Sequence, residues 1–254
     1  MKTNQKKAVL NRAVFTLRPF DSGALTVLTT LLHHFPEVGD YEAFVHRDGQ
    51  HVLRLHVHVV DKDAPFQHNI DMAKPLKSDD CGCSDKADLL LNVGGILGFY
   101  ASEGTAGYTV TVTQLGKKEK RTLLDSHTGI PAGDLFAVTL VRPGAYRVID
   151  RLNKAEATVT VEMPEVPKKG EVGQRSVAAR ESRYRPDRPS LVKVDKGAFT
   201  PKETRIYAGQ TVVFQCAVTS QIRVEMAQPE KRSEAERARK RYTAPRPPTR
   251  PEGK

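Results

Sequence analysis

Residues 39–60 read GDYEAFVHRDGQHVLRLHVHVV. Asp48-Gly49 is a favoured two-residue turn, because both positions tolerate the left-handed backbone that a tight hairpin needs. On its far side apolar and polar residues alternate, the period of a half-buried strand. The stretch is expected to form a β-hairpin with Asp48-Gly49 at its tip. His46 then faces His51 and Phe44 faces Leu53, with all four side chains on one face. His56 and His58 fall on the other face, near Tyr41, two residues and so about 7 Å apart.

The same signature recurs outward from this hairpin. Val57 to Val60, Tyr108 to Val112, Leu135 to Val141, Thr158 to Val161 and Thr211 to Val218 are short β-rich runs separated by turn residues. This pattern predicts an all-β chain of two to three small sandwich modules. In the last run Val212, Phe214, Cys216 and Val218 share one face, so Cys216 reads as a small buried hydrophobe. A second hairpin resembles the first. Gly144-Ala-Tyr146 opens it as Gly39-Asp-Tyr41 opens the other, and each returns to a proline-containing segment at Pro65 or Pro164. Glycine permits the turn, and tyrosine packs its ring while its hydroxyl reaches backbone.

These signals divide the chain into a β-rich module at 13–62 and a connector at 63–87. A sandwich module follows at 88–163, then a basic linker at 164–190. Further strands occupy 191–227, and a basic, Pro-rich, partly disordered tail closes the chain at 228–254. Ser233 with Glu236 fits a helix capping box, so a short helix is expected within 230–241.

The net charge is +10, which raises nucleic acid as a partner. Its distribution weakens that reading, because most of the excess lies in the linker and the tail. No run of about 18 apolar residues is present, so a membrane span is not expected. The basic start is not followed by an apolar segment, and no secretory signal is visible. The location is periplasmic or otherwise extracytoplasmic if a leader was removed, and cytoplasmic if not. Three cysteines, Cys81, Cys83 and Cys216, argue against a disulfide scaffold. Cys81-Gly-Cys83 reads as a loop, or as half of a soft-metal site.

Two segments resemble pieces of the cupredoxin fold. Val192-Lys-Val-Asp-Lys-Gly-Ala-Phe199-Thr-Pro201, continuing to Gly209-Gln-Thr-Val-Val-Phe214, is similar to that family's opening strands. Ala132-Gly-Asp134-Leu-Phe136 to Pro143-Gly144-Ala-Tyr146, ending in Thr158-Val-Thr-Val161, is similar to its closing strands. The resemblance implies a sandwich, formed by separate modules or by the two segments as a permuted pair. It implies no type I copper. Asp150 stands where the ligand cysteine is looked for and Asn153 stands near one histidine position. Ala155 or Glu156 occupies the methionine region, and Gln221 lies near the other histidine.

The concentrated chemistry is histidine. Seven of eight lie between His33 and His68, and His46, His51, His56 and His58 share the hairpin. Imidazoles from opposed strands can hold Zn²⁺ or Cu²⁺, with Glu42, His33 or His34 as further ligands. They can equally form a solvated strand face or a pH-sensitive interface. Gly94-Gly95-Ile-Leu-Gly98 lacks the lysine of a phosphate loop and reads as a turn or a close strand approach. Asp125-Ser126-His127 are too close in sequence to form a triad. The expected function is therefore non-enzymatic: a structural or adaptor subunit contacting a larger protein complex. Metal handling through the hairpin is the alternative, and anionic-surface or nucleic-acid binding through the tail is a weaker third.

Overall fold

The computed structural model describes residues 19–74, 86–104, 106–116, 119–163 and 188–229. The expected helix within 230–241, the tail beyond it and the Cys81-Gly-Cys83 loop lie outside these residues. The described residues form seventeen strands and no helix. The strands are β1 (Phe20–Asp21), β2 (Thr29–Phe35), β3 (Gly39–Arg47), β4 (Gln50–Val60), β5 (Gln67–Asp71) and β6 (Lys86–Asn92). Then come β7 (Gly95–Tyr100), β8 (Tyr108–Leu115), β9 (Lys120–Asp125), β10 (Leu135–Thr139), β11 (Gly144–Asp150) and β12 (Ala155–Glu162). The last are β13 (Ser190–Asp195), β14 (Ala198–Thr200), β15 (Glu203–Tyr207), β16 (Thr211–Cys216) and β17 (Ile222–Pro229).

Three sheets result, ordered β6-β4-β3-β8-β9, β1-β17-β11-β12-β15 and β14-β13-β16-β10-β2-β7-β5. The alternation seen in the sequence appears directly in burial. Along β4, Leu53, Leu55, Val57 and Val59 are buried while Arg54, His56 and His58 are half-buried on the opposite face. The inward faces of all three sheets feed one continuous apolar core. Phe35 of β2 meets Tyr41 of β3 edge-on at 5.0 Å, joining the seven-stranded sheet to the first five-stranded one.

The chain is a structural duplication, and the paired hairpins noticed in the sequence are its most visible part. Strands β2, β3 and β4 correspond to β10, β11 and β12. Strands β5, β6, β7 and β8 correspond to β13, β15, β16 and β17. The pairings match: β4 and β12 each take a parallel neighbour, β6 or β15, while β5 and β13 run parallel to β7 and β16. Individual bonds match too. The Tyr41 hydroxyl donates to the Glu37 carbonyl and the Tyr146 hydroxyl to the Arg142 carbonyl, both at 2.8 Å. Gly94 N–H donates to Phe35 O and Gly209 N–H to Leu140 O, again both at 2.8 Å. Both glycines have positive φ, 77° and 92°, so each makes the left-handed turn that brings the next strand home. Leu91-Asn-Val-Gly94 and Ile206-Tyr-Ala-Gly209 are thus equivalent. Gly95 allows the expected close approach, since a Cβ there would lie 2.6 Å from Asn92 O.

The two repeats meet where β2 pairs antiparallel with β10. Leu31 lies opposite Phe136, and these two positions are equivalent in the duplication, so a pseudo-two-fold passes through that pair. The repeats also exchange their opening strands. β9, which begins the second repeat, closes the first sheet beside β8, and β1, which begins the first, closes the second sheet beside β17. Ser126 accepts the Val110 N–H at 2.9 Å, and Ser22 accepts the Ile222 N–H at 3.0 Å. Ser126 and Ser22 are therefore equivalent strand clamps.

Pairing joins strands that are distant in sequence. Strands β6, β7 and β8 bond to β4, β2 and β3, and β9 bonds to β8, whereas the strands of 132–161 and 191–227 share two sheets. Residues 63–87, read as a connector, contain β5.

Cys216 is 1% exposed, as its strand face implied. Burial pushes its thiol up to about 12, and the Asp134 and Asp150 carboxylates add to the effect. Since the thiolate is the reactive form, Cys216 should resist alkylation in the native chain at pH 8 and react once the chain unfolds. A Cys81→Ser, Cys83→Ser background isolates that signal by mass spectrometry, and rapid native labelling would refute it.

Candidate metal centre

The hairpin forms with its expected tip: Asp48 and Gly49 have φ of 52° and 79°, and His46 lies opposite His51. Below the tip the register differs from the sequence reading. A β-bulge between Val45 and His46 leaves Val52 as the extra residue of β4, so Phe44 lies opposite Arg54 and Val45 opposite Leu53. A bulge reverses the facing of every residue beyond it. Leu53 consequently points into the core, and His56 and His58 share the outer face with Phe44 and His46 instead of opposing them.

On that face the four histidines separate into two groups. His56 and His58 are successive outward residues of β4, opposite Glu42 and Asp40 of β3. β6 runs parallel to β4 on its other side and sets Asp88 beside His56. Asp88 leaves no local signal in the sequence, because it arrives through a parallel pairing across a connector. The Nδ1 of His56 lies 3.2 Å from the Nε2 of His58 and 3.6 Å from Asp88 Oδ1. The three ligand atoms all lie within 4.8 Å of one another. Asp40 Oδ1 accepts from His58 Nδ1 at 2.7 Å, which fixes the tautomer and leaves Nε2 with its lone pair directed at the cluster.

That geometry suits an ion. Two nitrogens bound at about 2.0–2.1 Å to a tetrahedral ion lie about 3.3 Å apart. The Asp40–His58 contact has the form of the carboxylate that commonly orients a metal-ligating imidazole. Without an ion, a proton on His56 Nδ1 bridges to His58. Binding requires that proton to move to Nε2 of His56. A groove of about 280 Å³ lined by Arg54, His56, Ala87 and Asp88 opens the cluster to solvent.

Glu42, considered as a ligand from sequence, is engaged elsewhere. Its carboxylate is buried and ion-paired to Arg54, with Lys120 at 3.4 Å. The hydrogen bond from Arg54 holds its pKa below the ordinary 4.5 despite burial. Its contribution to stability is therefore complete above that ordinary value and is lost as pH falls through the depressed one. Glu42→Gln should flatten the acid limb of the stability–pH curve below about pH 4.5, as followed by urea midpoints; an unchanged limb would exclude this.

The duplication supplies an internal comparison. Thr158, Thr160 and Glu203 occupy the positions of His56, His58 and Asp88, and Ala145 replaces Asp40. The Glu42–Arg54 ion pair returns with reversed polarity as Arg147–Glu156. A comparable groove of about 330 Å³ persists beside it. The scaffold is common to both repeats, and the imidazoles belong to the first alone.

The other sequence candidates find structural places. His33 is buried against Asp134, Nδ1 to Oδ2 at 2.6 Å, and His34 is exposed. Asp150, Asn153 and Gln221 do converge. Asp150 Oδ1 accepts the Gln221 N–H at 3.1 Å, and Oδ2 accepts from Asn153 Nδ2 at 2.7 Å. They form a hydrogen-bonded loop anchor.

No family model, curated protein or solved structure matches this chain.

Proposed function

We propose that this chain is a metal-handling protein that binds Zn²⁺ or Cu²⁺ between His56, His58 and Asp88. The reading is carried by the His56–His58 nitrogen separation of 3.2 Å with Asp40 orienting the second imidazole. Two imidazoles and a carboxylate suit either borderline ion, and solvent completes the coordination. The exposed groove fits binding and release better than permanent enclosure. The resemblance to cupredoxins supports a sandwich scaffold, and the residues at 150, 153 and 221 support a weakly coloured copper complex without an intense blue band.

Isothermal titration at pH 7.5 tests this in a His46→Ala, His51→Ala, Cys81→Ser, Cys83→Ser background. One ion should bind per chain, and binding should fail below about pH 6, where protonated imidazoles cannot ligate. Adding His56→Ala and His58→Ala should abolish binding. Asp40→Asn should weaken it by about 10–100-fold, the usual effect of losing an outer-shell partner. Unchanged affinity after removal of both histidines would refute the assignment.

A second reading, an adaptor in a larger protein complex, is supported by the apolar rim of the same sheet. Phe66 and Leu90 are 64% and 47% exposed and lie close together, since Pro65 O accepts the Asn92 N–H at 2.8 Å. A partner isolated with the native chain should be lost on Phe66→Ser with Leu90→Ser. Retention would count against that surface.

A further inference from the structure

We infer that His46 and His51 form a second, independent metal site of a different class at the hairpin tip, taking Cu²⁺ in preference to Zn²⁺. The inference goes beyond the His56–His58 reading and does not depend on it.

The bulge is the first observation. Continued without it, the β3–β4 register would set His46 opposite Val52; the extra residue brings His51 there instead. Bulges commonly re-aim a side chain in this way. The two rings consequently lie edge to face, with centroids 5.6 Å apart and planes at 89°. A bound ion about 2.0 Å from a ring nitrogen lies about 3.1 Å from the ring centre, so two rings sharing one ion have centres no more than about 6.2 Å apart. The observed separation falls inside that limit.

The second observation is that the nitrogens are free. Among the described residues neither imidazole has a hydrogen-bond partner or a carboxylate neighbour, whereas His33, His56, His58 and His68 are each engaged. Phe44 backs the pair, its centroid 5.3 Å from His51 and 6.4 Å from His46. The Arg47–Gln50 pairing and the Asp48-Gly49 turn fix the strands on the outer side. An added Cβ at Gly49 would meet nothing within 4 Å, and the tip borders a cleft of about 540 Å³.

Chemistry then separates the two sites. Two imidazoles completed by water follow the general affinity order in which Cu²⁺ exceeds Zn²⁺. Four residues of β4 and the Arg54–Glu42 ion pair lie between this site and the first, a strand separation of about 15 Å. The ions should therefore bind without sharing a ligand.

Copper titration followed by electron paramagnetic resonance and calorimetry tests this on the full chain carrying Cys81→Ser and Cys83→Ser. CuSO₄ is the probe, with ZnSO₄ in the parallel arm. The chain with His56→Ala and His58→Ala should keep one Cu²⁺, with hyperfine coupling to two nitrogens and at least about tenfold weaker Zn²⁺ binding. Adding His51→Ala, an exposed change that leaves the core intact, should lower Cu²⁺ affinity at least tenfold. The inference is overturned if the His56→Ala, His58→Ala chain binds no copper, or if His51→Ala leaves its copper affinity and nitrogen coupling unchanged. Neither result alters the calorimetric test of the first site, which is made with His46 and His51 absent.

Discussion

Asp134→Ala is expected to lower stability by about 2–6 kcal/mol, because it leaves the His33 ring nitrogen and the His34 N–H without their acceptor, at about 1–3 kcal/mol for each unsatisfied buried group. For a chain of this size that is a fall in melting temperature of roughly 10 °C. Asp134 is 2% exposed. It holds His33 Nδ1 through Oδ2 and the His34 N–H at 3.0 Å through Oδ1. Nε2 of His33 is already buried without a partner, so removing Asp134 strands both ring nitrogens in a dry interior. The duplication provides the control. By the same register that pairs Val138 with Thr29, His33 and Asp134 occupy the equivalent places across the pseudo-two-fold. The double change His33→Val, Asp134→Thr copies the other side and should recover most of the loss, because removing both members of a buried pair is far milder than removing one. Urea midpoints of the two variants decide this; equal losses would show that the pair is not what the site requires.

The second large effect is expected at the far edge of the molecule. Removing residues 1–24 deletes β1, and with it Phe20, 6% exposed, and the Ser22 clamp on Ile222. Loss of a buried phenylalanine typically costs about 3–5 kcal/mol, and an unsatisfied buried N–H adds about 1–3 kcal/mol. Strand β17 would also become an open edge, a template for aggregation. Hydrogen exchange should accelerate at residues 222–226 while the amides of β3 and β8 stay protected. Unchanged protection of β17 would mean that β1 is dispensable.

Much of this fold was legible because strand periodicity is local. Alternation located β3, β4, β8, β10, β12 and β16, Asp48-Gly49 located a turn, and the two tyrosines pointed to the repeat. What escaped was non-local or depended on a single residue. One bulge at Val52 reversed the facing of His56 and His58, and no composition marks such an insertion. Asp88 joined the histidines through a parallel strand, whose partner no turn specifies. The duplication beyond the hairpins was hidden because Leu91-Asn-Val-Gly94 and Ile206-Tyr-Ala-Gly209 share only a pattern of apolar residues and a glycine. No local signal marks the exchange either, by which each repeat begins with a strand that pairs into the other.

That exchange of opening strands also sets an order of events during biosynthesis. β9 can close the first sheet almost as soon as it is made, since β8 immediately precedes it. β1 cannot, because its partner lies 200 residues later, as the Ser22–Ile222 separation shows. At translation rates of about 5–20 residues per second, β1 waits roughly 10–40 s for β17. Throughout that interval β1 and its buried Phe20 have no native partner. The first half of the molecule matures beside the ribosome, and β1, made before the other described strands, is the last of them to be placed.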